Sequence, residues 1–299
     1  MKQNTLAIDI GGTSVKIGIV DEDYTIRKRL SIPTLLLNST PDFYNYICSA
    51  LPDLSNIARI GVSSPGLIDK NGLVRTHGAP KLADIFLSNI PDEISARTGK
   101  KVTAINDGRA AGLCELRLGN MRGCGSSVCY IIGTGIAGCI CINDEILQGA
   151  DNFAGEFHFI SHLEKADEAP GRNGMECGII GLVRIYSEIT HSRPETIDGH
   201  TIVDLYRDGS PAAVQAFSFW MQRISTHIFS VIAVLNPEVV CVGGGITERD
   251  WFLPELREYI DRTVDRLFTE PKFLTTKIVE CKYRGDSNLL GAALYAQNR

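Results

Sequence analysis

Residues 6–20 read Leu-Ala-Ile-Asp-Ile-Gly-Gly-Thr-Ser-Val-Lys-Ile-Gly-Ile-Val, and this stretch constrains the chain more than any other. An apolar run carries Asp9 near its end, Gly11-Gly12 interrupts it, and Thr13 opens a second apolar run. The pattern is that of two strands joined by a tight turn. Two glycines reach backbone angles closed to other residues and leave the N–H groups of the turn open to a ligand. An acid before the turn and a hydroxyl after it suit metal and phosphate chemistry; a plain hairpin with an incidental Asp is the alternative.

The rest of the chain alternates strands and helices. Ile26 to Ile32 is expected to be a third strand and Pro41 to Leu51 a helix, with Phe43, Ile47 and Leu51 on one face. Arg59 to Val62 is a short buried strand ending in Ser63-Ser64-Pro65-Gly66, and residues 82–98 are helical in part, with Gly99 as the stop. A strand over Val102 to Ile105 runs into Asn106-Asp107, where a helix to Leu118 begins. The order argues α/β with a central sheet. A length of 299 residues accommodates two domains, and the change of character at Gly119 to Gly125 places the boundary after residue 118. The first domain is then 1–118, completed by the C-terminal helix 288–299, and the second is 119–287. The second half begins as the first did: a strand to Ile132, a Gly133-Thr134-Gly135-Ile136-Ala137-Gly138 turn, and a strand from Cys139 to Ile142. That echo implies two related domains facing each other across a cleft. Further on, Met175 to Glu188 and Trp251 to Leu267 read as helices, Ile278 to Lys282 as a strand and Asn288 to Gln297 as a final helix. Pro211 to Leu235 carries the strongest helical period, through Phe217, Trp220, Ile224, Ile228, Val231 and Leu235.

Bulk properties exclude several classes. A net charge of -5 speaks against a nucleic-acid partner. No apolar run approaches the ~20 residues of a membrane span. The first strand starts almost at the N-terminus, leaving no room for a secretory segment. The nine cysteines fall mostly inside apolar strands and read as small buried hydrophobes of a cytoplasmic, reducing environment.

Gly133-x-Gly135-x-x-Gly138 matches the dinucleotide fingerprint, but a strand follows it where the fingerprint needs a helix. No Gly-x-x-x-x-Gly-Lys-[Ser/Thr] loop and no Gly-x-Ser-x-Gly elbow occurs. Phosphate chemistry therefore has to come from the glycine hairpins. Asp107 stands where a strand ends and a helix begins, which suits either a general base at the ligand-facing edge of a sheet or a helix cap. His158 and His162 would share a helical face, yet with one cysteine nearby the ligand spacing for zinc is poor and a solvated loop is the better reading. Gly243-Gly244-Gly245 after a buried strand admits a close-lying phosphate or flat group, or is a plain turn with Thr247 as the next helix cap. Lys16 reads as an exposed strand residue or a phosphate partner.

Taken together, Asp9-Ile-Gly-Gly-Thr13, Ser64-Pro65-Gly66, Ile105-Asn106-Asp107 with Ala110-Ala111, Ile132-Gly-Thr-Gly-Ile-Ala-Gly138 and Val242-Gly-Gly-Gly245 resemble, in order and spacing, the ROK family of sugar kinases and sugar-responsive repressors, in the hexokinase–actin–Hsp70 fold group. The resemblance spans essentially the whole chain. It implies two actin-like, ribonuclease H-like α/β domains with a nucleotide and sugar cleft between them. It makes Asp107 the catalytic base, Asn106, Gly66, Gly78, Ala79, Glu156 and Glu176 sugar contacts, and Gly11, Gly12, Thr13, Gly133, Thr134, Gly135, Gly243, Gly244 and Gly245 the ATP-binding set. Asp9 orients Mg²⁺ through water or ATP. Two departures stand out. Phe159 occupies the place of the family's sugar- and zinc-binding histidine, and only Cys177 remains of its zinc cluster, so a structural zinc is not expected and the 161–174 loop must be held by other means. The pattern with Gly78-Ala79 is similar to the branch of β-glucoside kinases and N-acetylmannosamine kinases.

The expected activity is ATP-dependent phosphorylation of a hexose, N-acetylhexosamine or β-glucoside at its primary hydroxyl, in a cytoplasmic homodimer. The alternative is a non-catalytic sugar-sensing regulator. Regulators of this kind carry a DNA-binding module ahead of the first phosphate strand, whereas only Met1 to Thr5 precede it here.

Overall fold

In the computed structural model, residues 4–77, 80–160, 172–268 and 274–298 are described. The elements of the first half are β1 (Asn4–Ile10), β2 (Ser14–Val20), β3 (Ile26–Pro33), α1 (Thr40–Ser49), β4 (Ile57–Ser64), α2 (Ile90–Thr98), β5 (Lys101–Asn106) and α3 (Asp107–Leu118). Then come β6 (Ser126–Ile132), β7 (Ile136–Ile142), β8 (Glu145–Ile146), α4 (Arg172–Cys177), α5 (Ile179–Thr190), α6 (Gly199–Arg207) and α7 (Pro211–Leu235). The chain ends with β9 (Val239–Gly243), α8 (Phe252–Leu267), β10 (Lys277–Glu280) and α9 (Ser287–Gln297). Two compact units divide these elements. Unit 1 comprises Met1–Arg122, Glu145–Ala154 and Lys282–Arg299, and unit 2 comprises Gly123–Asp144 and Gly155–Cys281.

Unit 1 is built on a sheet of order β3-β2-β1-β4-β5. The opening hairpin is antiparallel, while β4 and β5 run parallel to β1. As the central strand, β1 is covered on both faces, which is why its sequence is a continuous apolar run without alternation. Leu6, Ile8 and Ile10 join Phe43, Ile47, Ile60, Val62 and Ile94 in one core, whereas Ala7 faces Leu289, Ala292 and Ala293 of α9 and Cys114 of α3 in another. Strand β3, at the edge, is mostly exposed.

Unit 2 repeats the plan. β7 is antiparallel to β6, β9 is parallel to β6, and β10 is parallel to β9, so these four strands stand as β2, β1, β4 and β5 stand in unit 1. Val128, Tyr130, Ile132, Val240 and Val242 form a core with Phe217, Trp220, Ile224 and Ile228 of α7. Cys129 pairs in register with Cys139 on one side and Cys241 on the other, all three buried thiols outside any disulfide. These cysteines are small apolar fillers on the second face of the sheet.

Three local expectations need correction. The helix expected over 175–188 is two helices, α4 and α5, because Gly178 takes an extended ψ of -179° as the N-cap of α5. Helix α6 falls in a stretch with no expected element; Asp198 caps it by accepting the N–H of Thr201 at 2.9 Å. Thr247 does not cap α8, which starts five residues later; its hydroxyl donates instead to the Gly244 carbonyl at 2.8 Å.

Candidate functional site

In unit 1 the candidate residues collect at the carboxyl ends of three adjacent parallel strands. Asp9 of β1 lies in register with Ser63 of β4, and Ser64 of β4 with Asn106 of β5. This edge is where open α/β sheets present ligand-binding groups. Asp9 is 6% exposed and accepts hydrogen bonds at Oδ1 from Ser63 Oγ (3.0 Å) and Asn288 Nδ2 (3.1 Å). Burial raises its carboxyl above the ordinary range, while the Lys16 charge and the two hydrogen bonds oppose that shift. Lys16 is directly opposite Asp9 in the hairpin and half-buried, so it is not a fully exposed strand residue.

The helix cap at the end of β5 is Asn106, not Asp107. Asn106 Oδ1 accepts the N–H of Arg109 at 3.1 Å, and Asp107 is the first residue of α3. The Asn106 amide donates to the Gly66 carbonyl (2.9 Å) and to Asp107 Oδ1 (3.0 Å), which also accepts the N–H of Gly108 at 2.7 Å. Asn106 thus ties the Pro65-Gly66 loop, the carboxylate and the helix into one piece. Arg109, 3% exposed, donates from the next position to the carbonyls of Asn152 and Ala154. Gly78 and Ala79 lie outside the described residues, as does the stretch 161–171.

In both glycine turns most carbonyls are engaged as hydrogen-bond acceptors. In the first, Gly11 N–H closes onto Ser14 (3.0 Å), Thr34 Oγ1 donates to the Gly11 carbonyl (2.6 Å), and Thr34 N–H donates to Thr13 (2.9 Å). In the second, in unit 2, Gly133 N–H closes onto Gly135 (2.9 Å), and the carbonyls of Gly133 and Thr134 accept the Ile179 (2.9 Å) and Ile180 (3.3 Å) amides that open α5. Occupied carbonyls reduce the negative potential that a phosphate would meet at such a turn. The close approach of α5 depends on Gly178: a Cβ there would lie 2.3 Å from the Thr134 carbonyl oxygen.

Thr134 also lines a cavity of about 440 Å³ with Ile179, Ile180, Val183, Arg184, Pro194, Glu195, Asp198 and Gly199. Its walls are apolar and carboxylates stand among its lining residues, a composition suited to a flat base with hydrogen-bonding edges. Gly243 ends β9, and Gly244 and Gly245 lead into a 3₁₀ turn.

Glu156 sits in a turn fixed to β7. Gly155 has φ +84° and passes so close that a Cβ would be 2.8 Å from Cys139 Cα. Phe157 is buried, and Phe159 is 40% exposed. His158 is half-buried, and burial lowers its pKa; His162 lies outside the described residues. Glu176, 7% exposed, forms ion pairs through Oε2 with Arg184 of α5 and with Arg223 of α7, the latter at 2.6 Å. The neighbouring Cys177 thiol is pushed up to about 12 by burial.

Several of these residues carry no sequence signal of their own. Asn288, Thr34 and Arg109 join the site through contacts across many residues of chain, and the cavity residues are assembled from α5, the 194–198 loop and the start of α6. Asp198 as a helix cap followed by Ile202 and Val203 is a local signal that marks α6.

The chain is 29% identical to the glucokinase of Thermotoga maritima over 325 residues, covering 100% of this chain and 98% of that protein. It is 29% identical to a β-glucoside kinase of Listeria monocytogenes, covering 97% and 96%. Among solved structures, a ROK family glucokinase from Streptomyces griseus in complex with glucose and AMPPNP superposes with a TM-score of 0.83 at 23% identity, covering 99% of this chain and 100% of that one. That likeness gives the chain the two-unit, actin-like α/β fold. A family model for ROK matches residues 5–299, and with that match over nearly its whole length the chain belongs to the ROK family.

Proposed function

We propose that the chain is an ATP-dependent sugar kinase that transfers the γ-phosphoryl group to the primary hydroxyl of a hexose, N-acetylhexosamine or β-glucoside. The class, carbohydrate kinase, follows from whole-length relatives named for that activity. The observation that carries ATP as donor is the apolar cavity of about 440 Å³ that reaches Thr134 of the second glycine turn. In this reading Ile179, Ile180 and Val183 flank the adenine, Glu195 or Asp198 meets its polar edge or the ribose, and the Gly133-Thr134-Gly135 turn faces the phosphates.

Asp107 is the general base in this reading. Its Oδ1 is held by the Gly108 amide and the Asn106 side chain, so the carboxylate is oriented before any substrate arrives. It accepts the proton of the attacking sugar hydroxyl, and the bond from that oxygen to the γ-phosphorus forms as the bond to ADP breaks. Asn106, Gly66, Glu156 and Glu176 are the candidate sugar contacts. Gly11, Gly12, Thr13, Gly243, Gly244 and Gly245 belong to the nucleotide side. Among the described residues no cluster of three His, Cys, Asp or Glu could hold a metal alone. A single buried carboxylate, Asp9, fits a Mg²⁺ that is held mainly by nucleotide phosphates and water. Such an ion would neutralise charge on the transferred group.

ATP consumption measured with glucose, N-acetylmannosamine, allose and cellobiose tests the proposal. Sugar-dependent ADP release, with the phosphate found on the sugar, is the expected result. Sugar binding without turnover for every member of the panel would replace the kinase reading with that of a sensor.

A further inference from the structure

Helix α7 is a core helix, yet Trp220, Arg223 and His227 place polar groups along one stripe of it, at i, i+3 and i+7. Each reaches a different part of the segments that carry Glu156 and Glu176. Trp220 Nε1 donates to the carbonyls of Cys177 (3.1 Å) and Gly178 (2.9 Å). Arg223 donates to Glu176 Oε2 at 2.6 Å. His227 is 0% exposed, with Nε2 3.2 Å from the Phe157 carbonyl and Nδ1 2.8 Å from the Tyr130 hydroxyl. A carbonyl only accepts, so Nε2 carries the hydrogen, and in the neutral ring Nδ1 accepts the Tyr130 O–H. The Phe157 carbonyl also accepts the N–H of Ile160 at 3.0 Å, and the Phe157 ring stacks on Tyr130 with centroids 5.9 Å apart.

We infer that His227 and Arg223 are positioning residues for Glu156 and Glu176, and that Trp220 sets the α4–α5 break against Thr134. The inference rests on the kinase reading above and deepens it: one rigid helix registers the sugar-facing carboxylates and the nucleotide-facing turn. Glu156 and Glu176 both lie on irregular or short elements, which cannot fix a carboxylate by themselves; a packed helix can. Without the His227 donor, the Phe157 carbonyl loses its tie to α7, and the 155–160 turn is left to its packing on β7 and its own turn bonds. A misplacement of ~1 Å in a substrate-positioning group costs up to about 100-fold in efficiency.

The test uses the full chain with Trp220→Phe, His227→Phe, His227→Gln and Tyr130→Phe. Steady-state kinetics of the wild type with the sugar panel comes first. An inactive wild type refutes the kinase reading, and hydrogen exchange then decides the positioning inference by itself. His227→Phe is expected to raise KM for the sugar about 10-fold or more with KM for ATP within about twofold, and His227→Gln, which restores an N–H near the Phe157 carbonyl, to recover most of the loss. Trp220→Phe is expected to raise KM for ATP instead. In ligand-free protein the Phe159 and Ile160 amides exchange faster in His227→Phe while those of β6 do not. Equal rises in both KM values across the variants, or unchanged exchange at Phe159 and Ile160, overturn the inference. Should His227→Phe not fold, Tyr130→Phe removes a single hydroxyl and must show the same sugar-selective pattern in weaker form; wild-type KM and exchange there also overturn it.

Discussion

Gly178→Ala puts the closeness of α5 to the second glycine turn to a quantitative test. A Cβ on Gly178 would lie 2.3 Å from the Thr134 carbonyl oxygen, 2.5 Å from Gly135 Cα and 2.7 Å from the Thr134 carbonyl carbon. All three are backbone atoms, so no side chain can swing aside. Restoring normal contact requires the turn and the start of α5 to separate by about 1 Å, an overpacking error of the kind that costs about 1–3 kcal/mol. The separation breaks into the pair of bonds from the Ile179 and Ile180 amides to the Gly133 and Thr134 carbonyls. At about 2–4 °C per kcal/mol for a unit of this size, Tm should fall by roughly 2–12 °C. Because Thr134 also lines the cavity, KM for ATP should rise while the sugar KM changes less. Gly285→Ala is the control, since a Cβ there meets nothing within 4 Å. Thermal unfolding and ATP-saturation kinetics read both effects. A Gly178→Ala protein with the Tm and KM of the wild type would show that α5 is not seated on the turn as described.

Four other outcomes are expected. Asp107→Asn should lower turnover by about 10²–10⁴ while sugar binding by calorimetry survives, and near-wild-type turnover would remove Asp107 from the role of base. Val183→Asp places a carboxylate in the apolar cavity wall and should raise KM for ATP by about 10-fold or more, leaving sugar affinity in place. Asp21 has its pKa lowered, chiefly by the hydrogen bond from the Thr25 amide and also by Arg27 and Asp23. A carboxyl with a lower pKa folded than unfolded contributes stability above about pH 4 and loses it as the pH falls through the folded value. Asp21→Asn should therefore be less stable than wild type at pH 7, with the gap in Tm closing as the pH falls through the lowered value of the folded carboxyl. Finally, elemental analysis of purified protein should find no stoichiometric zinc; one zinc per chain would mean that a site exists for which the sequence shows no ligand set.

What could be read in advance follows from how each feature is encoded. The double-sided burial of β1 prints a continuous apolar run, and the glycine turn after it needs particular backbone freedom, so the hairpin and its echo at Ile132 to Gly138 are visible locally. The capping relation at Asn106-Asp107 was half visible: polar residues at a strand end announce a helix start, but only the geometry shows that Asn106 caps and that Asp107 takes the first helical position. Asn288 donates to Asp9 across 279 residues of chain, and no local period can encode such a contact. Gly178 shows the limit most clearly. In sequence it is a tolerated glycine within an apolar, helix-like period, so the expected helix runs through it. In the fold it is the point where two backbones come closer than any side chain permits, and that requirement belongs to a partner 44 residues earlier, Thr134. The polar stripe of α7 follows the same logic: Trp220, Arg223 and His227 keep the helical spacing of a core face, and what distinguishes them is the carbonyls and carboxylate they meet. The sequence pattern therefore locates the elements, whereas the exactness of the site resides in approaches among α5, α7 and the loops, which is where substitutions should separate sugar binding from nucleotide binding.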